Sequence, residues 1–266
     1  MIGTLAQLIA IISYGNAFLM DQNWKKLDFE NSTLKYCNRV TFVNDKSSEN
    51  HGVVAEDIQE WFVFLKKSGC QRLKLFYKPK NRDNVGRERL DAGFVEGSDV
   101  WMVEVVFANH SDYWMVNEQV TNEQAKDRRI WGVKYFLASS GHSSASPTLA
   151  SLNKAKAELD SSLKEIISFS DKHKLKYWAE TFSKAKQNLE SSHPAIGYYK
   201  DFIIEENMAL LSRQVLFSAG EAWVFGGMGT WNDLLFNNSK DNNMYNRLSD
   251  SLYKSVVKAI IAGVNI

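Results

Sequence analysis

Residues 100–138 read VWMVEVVFANHSDYWMVNEQVTNEQAKDRRIWGVKYFLA, and this stretch decides the fold. Three alternating runs, Val100–Phe107, Tyr113–Thr121 and Ile130–Ala138, are rich in Val, Tyr, Phe and Trp and predict strands. Asn109-His110-Ser111-Asp112 is a turn cluster between the first two, and 122–129 is a polar, charged connector between the second and third. Connections this short favour an antiparallel meander over parallel crossovers. Working outward, Tyr36, Asn38, Val40 and Phe42 share one face of a predicted strand over 35–43. Arg72 to Lys78 sets Leu73, Leu75 and Tyr77 against Arg72, Lys74 and Phe76, and Pro79 stops that strand. Between them, 56–67 predicts a helix carrying Ile58, Phe62 and Leu65, ended by Gly69.

The chain changes character near residue 141. Residues 139–147 (SSGHSSASP) are Ser-rich and predict a flexible joint, with Ser146 as N-cap and Pro147 as first helical residue. Beyond it come four apolar stripes at helical spacing. The first carries Leu149, Leu152, Leu159, Leu163 and Ile166; the second carries Trp178, Phe182, Ala185 and Leu189 and ends before Pro194. The third runs from about Phe202 through Met208, Leu211 and Val215, and the last carries Met244, Leu248, Leu252, Val256 and Ile260. The expected class is α+β: an N-terminal antiparallel sheet with one or two helices over 1–140, a joint at 141–147, and a region of about four helices over 148–266. The two regions could share one core or pack separately.

Composition narrows the function classes. The chain has 266 residues, is 44% hydrophobic and 24% charged, and carries a net charge of +1, so it has no global drive toward nucleic acid or anionic membrane. Two cysteines cannot build a disulfide framework or fill a four-ligand zinc site alone. Residues 4–20 form an apolar run that is too short and too often interrupted by polar residues to span a bilayer. Gly15-Asn16-Ala17 matches a small-x-small cleavage pattern, but no Lys or Arg precedes the run, so a packed helix is the reading taken and a secreted or periplasmic chain the alternative. A cytoplasmic location is the corresponding expectation.

Short catalytic motifs are absent: there is no His-Glu-x-x-His, no Gly-x-Ser-x-Gly and no P-loop. No Asp or Glu is followed two positions later by Lys, as one large nuclease class requires. Glu-x-x-His occurs once, at Glu190 to His193, where a di-iron bundle needs it twice. His110-Ser111-Asp112 holds three catalytic residue types in a row, yet adjacent turn residues seldom converge as a triad does. No metal site and no cofactor are expected. Between 72 and 89, seven cations (Arg72, Lys74, Lys78, Lys80, Arg82, Arg87, Arg89) face two acids (Asp83, Glu88), with Phe76 and Tyr77 interleaved. That pattern suits either a solubilised edge strand and loop or a phosphate-tracking patch with stacking rings.

The segment 221–233 (EAWVFGGMGTWND) concentrates glycines between Trp223 and Phe225 on one side and Trp231 on the other. Glycine clusters mark positive φ or close approach. Its aromatics could plug the core, its Met228 and Trp231 could anchor a partner, or its backbone could cradle an anion with Asp233 nearby. The run from Phe225 to Asp233, followed by an amphipathic terminal helix, resembles C-terminal segments of uncharacterised bacterial proteins, some of toxin–immunity type. The resemblance implies a cytoplasmic or periplasmic protein that binds one protein partner and has no chemistry of its own; the reading taken is an immunity or antitoxin protein that occludes that partner, a toxin for instance. On that reading the contact residues are Met228, Trp231, Asn232 and Asp233 with Arg82, Arg87 and Arg89. The alternatives are an enzyme, a hydrolase or transferase with a site assembled from distant residues such as His110, Asp112 or Glu221, and a nucleic-acid-binding module over 72–89.

Overall fold

A computed structural model describes residues 3–44, 52–79, 89, 100–142, 151–226 and 228–265. Its strands are β1 (Cys37–Val43), β2 (Val53–Ala55), β3 (Arg72–Lys78), β4 (Val100–Val106), β5 (Ser111–Val120) and β6 (Trp131–His142). Its helices are α1 (Gly3–Leu19), α2 (Ile58–Lys67), α3 (Leu152–Lys172), α4 (Lys176–Asn188), α5 (Leu210–Glu221) and α6 (Ser239–Val264). The class is α+β, with a sheet in the N-terminal half and helices in the C-terminal half.

The sheet runs in the order β2-β1-β6-β5-β4-β3. The meander β3 to β6 is antiparallel throughout, but β1 lies parallel to β6, so the sheet is mixed rather than antiparallel. Short connections dictate direction only between consecutive strands; β1 reaches β6 from far along the chain, and that constraint lapses. The register puts Leu75, Val103, Trp114 and Leu137 in one cross-strand row. On the same face Phe42 stacks between Trp61 of α2 (centroids 4.3 Å apart) and Tyr135 (5.0 Å).

α1 lies against this face. Leu5, Leu8, Ile9, Ile11 and Ile12 are all buried, so the helix is apolar around its circumference and needs neighbours on every side. It packs on β3, β4 and α2 from one half of the chain and on α6 from the other. Buried side chains from both halves form one contiguous hydrophobic cluster around it. At the free edge of β3, the Asn16 amide bonds both the N–H (2.7 Å) and the C=O (2.9 Å) of Leu73. Asn265 does the same for Leu75, at 2.6 and 2.7 Å.

Three boundaries differ from the sequence expectation. β6 continues through Ser139 to His142, because Ser139 and His142 pair with Tyr113 and Ser111; the rest of the expected joint, including Ser146 and Pro147, lies outside the described residues. The N-cap of α3 is Ser151, whose hydroxyl accepts the Lys154 N–H. α5 begins at Leu210 rather than near Phe202, since Phe202, Ile203 and Ile204 are buried as irregular chain before a short 3-10 turn at Glu205–Asn207. No helix among the described residues is long and apolar enough to cross a membrane.

Gly15 marks the tightest approach of α1 to the sheet. A Cβ there would lie 2.5 Å from Leu73 Cδ1 and 2.8 Å from Phe62 Cε1. Gly15→Val, which adds a branched side chain at this contact, is expected to lower stability by about 1–3 kcal/mol through overpacking, read from the urea midpoint; an unchanged midpoint would contradict this packing.

Candidate functional site

The Gly-rich loop is built into the helical half. Trp231 is fully buried, donates its indole N–H to Ser249 Oγ (2.7 Å) and stands edge-on to Phe182 (5.1 Å) and Trp178 (5.4 Å). It is a core plug and cannot anchor a partner as the surface reading required; an aperiodic loop offers no spacing from which its burial could be read. Asp233 closes a capping box with Thr230 and also accepts the Gly229 N–H, with Gly229 at φ +83°. The Gly229 and Thr230 N–H groups are thus taken by the protein's own carboxylate and are not left to cradle an anion.

Asn232 and Arg89 face each other. Arg89 is 3% exposed and bonds Asn232 Oδ1 (2.7 Å), Asn246 Oδ1 (3.1 Å) and Asp250 (3.0 Å), with its guanidinium over the Tyr245 ring. Asn232 returns a bond to the Arg89 carbonyl. Both are spent on internal structure and are not free to meet a partner. Arg82 and Arg87 lie outside the described residues. Of the expected contact residues, Met228 projects freely, 99% exposed; Leu235, not among them, does so too at 90%.

The basic segment loses its stacking rings: Phe76 packs on Tyr113 (4.8 Å) and Tyr77 on Trp101 (4.5 Å). His110 stacks on Phe107 in the β4–β5 turn, while Ser111 and Asp112, expected in that turn, already pair with Val106 and Val105 as the start of β5, and Asp112 accepts the Gly141 N–H. Glu221 holds the Gly197 N–H (2.6 Å) and Lys184 (3.2 Å).

The structure instead gathers a different set of residues. A cleft of about 680 Å³ opens between the first turn of α1, the 31–37 segment, the end of β5, the start of β6 and the 197–201 segment. Its two irregular walls are stitched together by Asp201, whose carboxylate accepts the Ser32 N–H (3.1 Å) and hydroxyl. The Asp201 carbonyl accepts Asn31 Nδ2 (2.8 Å) and the Tyr14 hydroxyl (2.9 Å).

On the floor, buried Tyr135 donates to Gln7 Oε1 (2.7 Å), and Gln7 Nε2 donates to Cys37 Sγ (3.5 Å). Burial pushes the Cys37 thiol up to about 11, against the Gln7 bond, so it stays a thiol near neutrality and is no ready nucleophile. Half-buried Glu118 takes one hydrogen bond, from the Thr4 hydroxyl (3.0 Å). Burial raises its carboxyl above the ordinary 4.5, with the Thr4 bond opposing. Tyr199, held at φ 51° in the left-handed region, is raised by burial first and then by the Glu118 and Tyr36 charges. At the mouth stand three partly exposed rings, Tyr36, Trp131 and Tyr198.

None of these residues is a candidate site residue on the sequence reading. One signal was present: Glu118 follows Trp114 and Val116 on the inward face of β5, and a carboxylate at an inward strand position is anomalous. Among the described residues, no group of three or more His, Cys, Asp or Glu could hold a metal ion. Comparison with protein-family models, curated proteins and solved structures finds no match.

Trp231→Ala is expected to cost about 3–5 kcal/mol in urea unfolding, as buried Trp truncations do. Met228→Ala is expected to stay within about 0.5 kcal/mol of wild type; equal costs would contradict the opposite burial of the two side chains. Because the folded chain raises the Glu118 carboxyl, its favourable contribution is complete below the unfolded value and is lost as pH rises through the folded one. Glu118→Gln, neutral at every pH, should therefore gain stability relative to wild type as pH rises above about 4.5. A gap that does not change with pH would contradict the burial of this carboxyl.

Proposed function

We propose that the protein binds a small molecule in the cleft floored by Gln7, Cys37 and Glu118. The observation that supports this most directly is the combination of a half-buried carboxyl carrying a single hydrogen bond with an aromatic-rimmed cavity of about 680 Å³. Sites for small ligands have this size and this mixture of apolar wall and few placed polar groups. The site is assembled from distant residues, with lining side chains running from Thr4 to Asp201. In any reaction there, Glu118 is the group placed to take or give a proton, since its carboxyl lines the cavity and burial raises it above the ordinary 4.5.

The test is a ligand-observed NMR screen of small polar fragments against wild type, Trp131→Ala and Met228→Ala. Hits that survive Met228→Ala and are lost in Trp131→Ala are expected. A screen whose hits all ignore Trp131→Ala would overturn the assignment.

A second reading, occlusion of a protein partner as in immunity proteins, is favoured by the projection of Met228 and Leu235 from the loop after α5. It would rest on those two side chains rather than on Trp231, Asn232 or Arg89. Capture of a partner that Met228→Asp abolishes would favour it.

A further inference from the structure

Glu118 is a carboxylate without a counter-charge. Among the described residues it makes no ion pair, and the Thr4 hydroxyl satisfies one of roughly four lone-pair sites. Two lysines, Lys35 and Lys200, line the same cleft, yet neither lies within ion-pair distance of it. Around Glu118 the walls are aromatic: Tyr36, Trp131 and Tyr199 all line the cleft, Tyr199 lies within the electrostatic reach of Glu118, and the Trp131 backbone N–H is bonded to the Tyr36 carbonyl at 3.1 Å. Ring faces carry negative charge density and attract cations, most strongly where water is excluded. The chain already uses this rim in that way, with Lys35 Nζ resting 4.7 Å above the Tyr36 ring.

We propose that the cleft binds a small organic cation, its ammonium group held between the Tyr36, Trp131 and Tyr199 side chains and opposite the Glu118 carboxylate. The proposal rests on the ligand-binding reading above and names the class of ligand. A bound ammonium would supply the counter-charge that Glu118 lacks, and the rings would replace its hydration.

The test is calorimetric titration of the full chain with choline and with 3,3-dimethyl-1-butanol, its uncharged isostere. Choline is expected to bind saturably, and the isostere about tenfold or more weakly. Glu118→Gln, which keeps the shape and removes the charge, should weaken choline about tenfold and leave the isostere unchanged. Trp131→Ala should weaken both, and circular dichroism of each variant checks its fold. Equal binding of the two probes would overturn the cation proposal while leaving the cleft a ligand site. No saturable choline binding would also overturn it, and the fragment screen then decides separately whether the cleft binds ligands.

Discussion

The fold depends on a helix that has no polar side. α1 is apolar around its circumference, and such a helix persists in water only if it is enclosed. The sheet and α2 cover it from one direction and α6 from another, so each half of the chain completes the other's core. This requirement joins regions that sequence character alone separates near residue 141. It also fixes where the cleft lies, because the first turn of α1 emerges from the core there and carries Thr4 and Gln7 to its floor.

The regular elements were legible because their periods are strong. Alternation placed β3 to β6, and three-four spacing placed the terminal helix, whose stripe from Leu248 to Ile260 is buried. β2 escaped because three residues carry too little period to see. The parallel pairing of β1 with β6 escaped because register between distant strands is a property of the assembled core. Near Phe202 an apolar run reads as helix, although the chain buries it as loop. The same limit explains Trp231: in a segment without period, an indole that plugs the core and one that greets a partner look alike. The cleft was almost illegible, since its residues come together only when the 31–37 and 197–201 segments meet through Asp201. Glu118 alone left a trace, as the charged residue on an apolar strand face.

That meeting of segments has an energetic side. The walls of the cleft are irregular chain, which is ordinarily mobile, yet Asp201 ties Ser32 and Asn31 by both its side chain and its backbone. A ligand would enter walls already fixed in place, and the ordering cost is borne by folding rather than by association. Tyr199 fits the same pattern: a bulky residue in the left-handed region persists only where its surroundings hold it.

The side-chain amides of Asn16 and Asn265 along β3 have a consequence for self-association. An outermost strand normally offers a row of unsatisfied donors and acceptors that a second chain can copy into a fibre. Here the outward groups of Leu73 and Leu75 are already engaged by amides that mimic a neighbouring backbone. The opposite margin is β2, whose three residues are too few to template another strand. Among the described residues, both outer strands are thus poor templates for adding a strand from a second chain.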